Sequence, residues 1–83
     1  MDRPNWWDWD LGFTPHIEAR MEERGFTELD LRAMLDVGTK VSPAIMPGRW
    51  IVLTRHNRHP WLVVLEPDEA DQILWVVTAY QLD

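Results

Sequence analysis

The chain has 83 residues, of which 46% are hydrophobic, with six tryptophans, no cysteine and a formal net charge of −6. A chain of this length supports one small core, and its apolar content is typical of a folded domain and excludes a disordered acidic tail. The lack of cysteine excludes disulfides and thiolate metal sites. No segment approaches the roughly 20 apolar residues of a membrane span, so we expect a cytoplasmic protein without a membrane segment.

The charges are distributed unevenly along the chain. Residues 1–36 carry nine acids and four bases, whereas residues 62–83 carry five acids and no base. The segment between them, residues 37–61, has no acid, and its bases are Lys40, Arg49, Arg55 and Arg58. A local positive patch is therefore expected on an acidic protein, although the net charge disfavours tight, non-specific binding of nucleic acid.

Residues 1–13 are predicted to form an acidic, tryptophan-rich arm that precedes a single domain of residues 14–83. The arm contains Trp6, Trp7 and Trp9. Each tryptophan can bury roughly 150–250 Å², so these side chains either pack on their own domain or serve an interface.

Two short helices are predicted after the arm. The first begins with Thr14 as its cap and Pro15 at its first position, and Gly25 ends it. In the second, Thr27 and the acid three residues later form a variant of the capping box, and Gly38 closes the helix.

The apolar pattern changes after Pro47-Gly48. The runs `RWIVLTR`, `WLVVLE` and `ILWVVTAY` are rich in β-branched and aromatic residues, and the polar stretches `HNRHP` and `PDEADQ` separate them. These patterns predict an α+β fold in which the two helices pack on a three-stranded antiparallel sheet, with residues 39–48 as a candidate fourth strand at the edge. Because the strands are apolar at nearly every position, both faces of the sheet need cover, and the face away from the helices must meet the arm, a second copy or a partner.

His16, Arg20 and Arg24 are spaced four residues apart, which places all three on one face of the first helix. Two interpretations are open for them. They form one half of an ion-pair network with the abundant acids, or they form an anion site that the sheet completes.

The segments `HIEARMEERGFTELDL`, `GRWIVLTRHNRHPWLVVLEP` and `LWVVTAY` together resemble a small bacterial domain family that is likened to the BrnT and RelE-type toxin ribonucleases. The likeness covers about residues 14–82. It rests on the spacing of His16, Arg20, Met21, Arg24 and Gly25 and on the terminal Thr78-Ala79-Tyr80. The resemblance implies a RelE-like or BrnT-like domain of a toxin–antitoxin system that acts on RNA without metal or cofactor, with an antitoxin as its partner.

Metal-independent cleavage of RNA needs a base for the 2′-hydroxyl, an acid for the leaving oxygen and cations for the charged phosphorane. The catalytic candidates are His16, Arg20, Arg24 and Tyr80, and the substrate-binding candidates are Arg49, Arg55, Arg58 and His59. Arginine suits phosphate because its planar fork binds two oxygens at once. Tyr80 also suits a core or cross-strand role, since it lies two residues after Thr78 in a strand.

A metal site is not expected. His56 and His59 in `HNRH` supply two ligands where a site needs three or four, and Arg58 between them repels a cation. The stretch suits a charged hairpin turn, or a loop that contacts substrate.

A second function from a different class is a non-catalytic protein-interaction module. The net acidity and the `NWWDWD` stretch favour it, because acidic, tryptophan-rich segments suit a basic or apolar partner. In this interpretation the chain is a homodimer or binds another protein, and the arm lies at the interface.

Overall fold

Two helices pack on one five-stranded sheet in the computed structural model, which describes residues 3–83. The elements in chain order are β1 (Asp10–Phe13), α1 (Pro15–Arg24), α2 (Glu28–Asp36), β2 (Lys40–Pro43), β3 (Trp50–His56), β4 (His59–Asp68) and β5 (Ile73–Gln81). The strand order is β1-β5-β4-β3-β2. Within the described residues, neither helix has the length and apolar character needed to cross a bilayer.

Both predicted helices are confirmed, with their predicted N-terminal caps and with Gly25 at the end of α1. The Thr14 hydroxyl accepts a hydrogen bond from the Ile17 amide at 3.2 Å, and Gly25 ends α1 in the left-handed region at φ 72°. At the start of α2, Thr27 and Asp30 exchange the two bonds of a capping box, at 2.8 and 3.2 Å.

Gly38 does not end α2 in the predicted way. The helix stops at Asp36, and Val37 is its C-terminal cap. A Cβ atom on Gly38 would lie 2.8 Å from Cγ1 of Val52, so the glycine lets the chain pass close to β3.

The hairpin predicted at `HNRHP` joins β3 and β4. Asn57 and Arg58 occupy its tip with φ angles of 51° and 70°, the pair of positive angles that a two-residue type I′ turn requires. His56 and His59 pair across the strands on either side. Among residues 3–83 no group of three or more histidine or carboxylate side chains has an arrangement that would hold a metal ion.

The sheet is mixed, so the prediction of a wholly antiparallel sheet of three or four strands is wrong. Strands β2 to β5 are antiparallel neighbours, and β2 is the predicted edge strand. The fifth strand, β1, pairs in parallel with β5 from Asp10 opposite Ile73 to Phe13 opposite Val76. Its sequence `DLGF` has no β-branched residue, and its partner strand lies at the other end of the chain. No local sequence pattern therefore predicts this strand.

A close approach fixes β1 beside β5. A Cβ atom on Gly12 would lie 2.7 Å from the indole ring of Trp75 and from the Cγ2 atom of Ile73. The glycine therefore leaves room for the Trp75 ring to lie over β1.

The core lies on the face of the sheet that the two helices cover. Its largest fully buried side chains come from both helices and three strands, and they are Ile17, Leu31, Met34, Leu35, Val52, Val63, Leu65, Leu74 and Val76. Trp6 and Trp7 join this core with 6% and 5% of their surface exposed, and the Trp6 ring lies 5.7 Å from that of Trp50. Of the two alternatives for the arm, the structure shows packing on its own domain. These two rings therefore offer almost no surface to a partner.

The residues that alternate with the core residues along β3, β4 and β5 point to the opposite face, which we call the open face. Its members include Ile51, Leu53, Leu62, Val64, Ile73 and Trp75, all of them partly exposed. The helices and the buried tryptophans cover the other face of the sheet. They therefore do not provide the cover that the sequence predicts for the open face.

Candidate anion-binding groove

The groove lies where α1 replaces β1 as the neighbour of β5. The pairing of β1 with β5 ends at Val76, while β5 continues to Gln81 with β4 on one side only. The cap residue Thr14 fixes the start of α1 here, because its hydroxyl donates to the carbonyl oxygen of Val77 at 3.3 Å. Ile17 is fully buried in the core, which fixes the orientation of α1. The neighbouring face of α1 carries the basic residues and lies beside the end of β5.

Arg20 and Arg24 form one side of this groove, whose volume is about 480 Å³. The remaining lining residues come from β4, β5 and the segment after β5, and they are Trp61, Ala79, Tyr80, Gln81 and Asp83. The Trp61 ring is held by edge contacts with Phe26 at 5.3 Å and with His56 at 5.5 Å between ring centroids. The groove is thus bounded by the packed Trp61 ring on one side and by the Arg20 and Arg24 side chains on the other.

The two arginines are not neutralised within the described part of the chain. Among residues 3–83 neither guanidinium group has a hydrogen bond or an ion pair, although the protein has an excess of acids. Like charges one helical turn apart destabilise a helix by roughly 0.2–0.5 kcal/mol. Arg20 and Arg24 therefore give this side of the groove a positive charge that no ion pair among the described residues neutralises and that an anion would stabilise.

His16 lies along the same edge. Its Nε2 atom shares a hydrogen bond of 3.2 Å with the Thr78 hydroxyl, and its ring is exposed. Tyr80 follows Thr78 by two residues, which is roughly 6.6 Å along a strand, and 40% of its surface is exposed. An imidazole, a phenol and two guanidinium groups therefore lie along one edge of the domain.

Asp83 is the acid of the groove, and its carboxylate is engaged by other residues. It accepts a hydrogen bond from the Gln81 side-chain amide at 2.8 Å, and its Oδ1 atom lies 3.6 Å from Nδ1 of His59. The Gln81 hydrogen bond, assisted by His59, holds the pKa of Asp83 below its usual range. Asp83 is therefore an anion at neutral pH without pairing with either arginine.

The comparison with protein families matches residues 13–81 to a domain of unknown function (DUF4258). The chain belongs to this family. No curated protein matches the chain, and no solved structure does. The matched region contains Arg20, Arg24 and Tyr80, and it ends before Asp83. The match identifies a family and gives no activity, so the likeness to BrnT and RelE-type toxins stays a prediction.

Three of the four predicted catalytic residues of the DUF4258 domain, Arg20, Arg24 and Tyr80, line one groove, and His16 lies beside it. Of the predicted substrate-binding residues, His59 reaches the margin of the groove through Asp83.

The predicted substrate-binding arginines of the DUF4258 domain do not line the groove. Arg55 donates to the carbonyl oxygen of Arg58 at 3.1 Å within the hairpin turn. Arg49 donates to Glu66 at 3.1 Å and lines a second pocket, of about 450 Å³, that also includes Trp75.

Sequence reasoning missed three of the other lining residues, Trp61, Gln81 and Asp83, and included Ala79 only as part of the terminal Thr78-Ala79-Tyr80. Trp61 belongs to an apolar run that gives no sign of a site, and Asp83 follows the last predicted strand in a chain with fourteen acids. Only the pairing of Trp61 with Gln81 across β4 and β5 brings them together.

Proposed function

We propose that this DUF4258 domain is a toxin-like, metal-independent domain that binds RNA in the groove and cleaves it there. One observation carries the proposal: Arg20 and Arg24 face an open groove without a carboxylate partner among the described residues. Elsewhere in the domain Arg3, Arg32, Arg49 and Arg55 donate to carbonyl or carboxylate oxygens, and among the described residues only Arg58, at the tip of the β3–β4 hairpin, also lacks such a partner.

Phosphate is the anion that best fits this groove. Each guanidinium group can bind two phosphate oxygens, and two groups one turn apart can hold successive phosphates or clamp one. Trp61 contributes little to base stacking, because only 7% of its surface is exposed, so the two arginines carry the proposed binding. Because the net charge is −6, binding should be confined to this local positive region and should weaken steeply with salt.

The toxin resemblance supports the same location. Its two strongest parts, the His16, Arg20, Arg24 spacing and the terminal Thr78-Ala79-Tyr80, are far apart in the sequence. In the fold α1 and β5 are neighbours, and these residues meet at the groove and its edge.

In the proposed reaction His16 takes the proton of the 2′-hydroxyl as that oxygen attacks the phosphorus, and the arginines stabilise the charged phosphorane. Tyr80 donates a proton to the leaving 5′-oxygen as the phosphorus–oxygen bond breaks. His59, a substrate-binding candidate whose imidazole could also serve as an acid or base, is held by Asp83 at the margin of the groove. His16 is therefore the better placed of the two histidines.

Binding is tested first, by fluorescence anisotropy with a short labelled single-stranded RNA. We expect Arg20→Ala combined with Arg24→Ala to weaken binding by about tenfold or more, and to reduce the slope of log K against log salt by roughly 0.7 per lost phosphate contact. A matched control compares Arg24→Ala with Lys40→Ala, which removes the same charge from β2 at the far edge of the sheet. Equal losses in the two single variants would show that overall charge, and not the groove, determines binding.

Cleavage is tested separately, by incubating RNA with the protein in EDTA and separating the products on a gel. We expect cleavage without metal, and we expect His16→Ala to abolish it while RNA binding and the thermal unfolding midpoint are retained. A wild-type protein that neither binds nor cleaves RNA would refute the proposal, and binding without cleavage would reduce it to an RNA-binding role.

A further inference from the structure

The open face is an apolar surface that the helices leave uncovered. In the strand register, the members Ile51 and Val64 lie at its centre, with Leu53 and Leu62 beside them and Trp75 on β5. All five are partly exposed, and the buried core residues that alternate with them contact the helices. An antiparallel sheet that meets water on one face normally carries polar residues there. The centre of this face is apolar, so it needs a second layer.

The charged residues of the open face lie at its two ends. Asp10 and Asp68 lie level with Ile73, at the end nearest the β4–β5 turn. Lys40 lies level with Leu53, and Arg55 lies two pairs further toward the β3–β4 hairpin. In the same region as the acids, Glu66 is already neutralised by Arg49. The face therefore has an acidic end, an apolar centre and a basic end.

We propose that two copies of the chain pair through their open faces, sheet against sheet, with the strands of the two copies running in opposite directions. A two-fold axis in the interface plane, perpendicular to the strands, places the acidic end of each copy over the basic end of the other. Both copies then use the same surface, as a closed dimer requires. This inference does not depend on the proposed RNA function.

The second copy is the occupant that the charge pattern selects. Two molecules of net charge −6 repel each other in most orientations, but the turned-over arrangement brings Asp68 on β4 of each copy beside Arg55 on the neighbouring β3 of the other, at both ends of the interface. Another acidic or basic partner would match only one end.

The available area is also sufficient. Strands spaced by about 4.8 Å and rising about 3.3 Å per residue give a five-stranded face of roughly 500 Å², so two faces bury about 1,000 Å², near the lower limit of specific interfaces.

The first test measures the mass of the full chain by sedimentation velocity across a concentration series. We expect a species of about twice the 9.9 kDa chain mass. Ile51→Glu at the centre of the face should convert it to monomer. Ile45→Glu is the matched control, because Ile45 is fully exposed in the loop before β3 and lies outside the face, so this variant should stay dimeric. A wild-type chain that is monomeric at about 100 µM, or a dimer that survives Ile51→Glu, would overturn the proposal.

A second variant decides the matter if circular dichroism shows that Ile51→Glu fails to fold. Lys40→Glu with Arg55→Glu changes exposed side chains only and makes both ends of the face acidic. We expect the dimer dissociation constant to rise by about tenfold or more, because like charges then meet at both ends. An unchanged constant would overturn the proposed orientation. The Arg20→Ala, Arg24→Ala protein should remain dimeric, which separates this proposal from the RNA groove.

Discussion

The arginines near the N-terminal segment and the arginines of α1 have opposite surroundings. Arg3 and Arg32 donate hydrogen bonds to main-chain carbonyl oxygens in distant parts of the chain. Arg20 and Arg24 have no such partner among the described residues, and they line a groove instead. The first two arginines are therefore part of the fold, whereas the α1 pair is available for a ligand.

The difference lies in what each guanidinium group can reach. Arg32 on α2 lies under the N-terminal segment, whose carbonyl groups belong to no helix or paired strand, and it satisfies them. α1 packs against β5, and Thr14 at its start donates to the carbonyl oxygens of Val76 and Val77. Further along the helix, Arg20 and Arg24 lie against side chains of the groove and donate to no carbonyl oxygen among the described residues. The comparison predicts that the two groups respond in opposite ways to mutation.

The largest effect is expected at Arg32. Arg32→Ala removes the bonds to the Trp7 and Trp9 carbonyl oxygens, at 3.3 and 2.6 Å. Because both have a charged donor, we expect the free energy of unfolding to fall by about 2–3 kcal/mol in urea denaturation. Arg32→Lys retains the charge but not the planar guanidinium group that donates two hydrogen bonds, so it should recover only part of the lost free energy of unfolding. A free energy of unfolding within about 0.5 kcal/mol of wild type would show that the Arg32 hydrogen bonds do not stabilise the fold.

A smaller loss is expected at Arg3. Its two terminal nitrogens donate at 2.9 Å to the Leu35 and Asp36 carbonyl oxygens, at the C-terminal end of α2, and its guanidinium carbon lies 4.4 Å from the centre of a Trp7 ring. A cation at a helix C-terminus and over an aromatic face contributes roughly 1–2 kcal/mol in total. Arg3→Ala should lower the urea midpoint accordingly. A loss as large as that of Arg32→Ala would mean that the N-terminal segment detaches as one unit.

Arg20 should show almost no effect on stability. Arg20→Ala removes a like-charge contact with Arg24 worth roughly 0.2–0.5 kcal/mol and breaks no internal hydrogen bond. We expect the free energy of unfolding to stay within about 0.5 kcal/mol of wild type, and any gain to vanish in high salt. A loss above about 1 kcal/mol would place Arg20 with the structural arginines and would weaken the case for the groove.

Short-range signals in the sequence were sufficient for the helices and the hairpin. Thr14, Thr27 and Gly25 act through hydrogen bonds and backbone angles within a few residues, so their patterns could be interpreted correctly. The parallel strand β1 could not be predicted, because `DLGF` gains its stability from β5 at the opposite end of the chain and from the space that Gly12 leaves for Trp75.

The groove was predictable in part for the same reason. The spacing of His16, Arg20 and Arg24 follows from helix geometry alone. Whether the arginines are paired depends on tertiary neighbours, and the sequence left both answers open. Arg49 was assigned to substrate binding by its charge, but the β3–β4 register sets it beside Glu66 on the open face.

The smallest effect is expected at Asp83. The contacts of its carboxylate explain why it does not neutralise the arginines of the groove. Its carboxylate is held by Gln81 and then by His59, and these contacts lower its pKa. A lowered pKa in the folded state means that the stabilisation is complete above the pKa of the unfolded chain and is lost as the pH falls through the folded value. No change from Asp83 is therefore expected between pH 5 and 8. In a carboxyl-detected NMR titration, Gln81→Ala should raise the Asp83 pKa toward its usual value, and His59→Ala should raise it less. The reverse order would show that the ion pair with His59, and not the Gln81 hydrogen bond, keeps Asp83 away from Arg20 and Arg24.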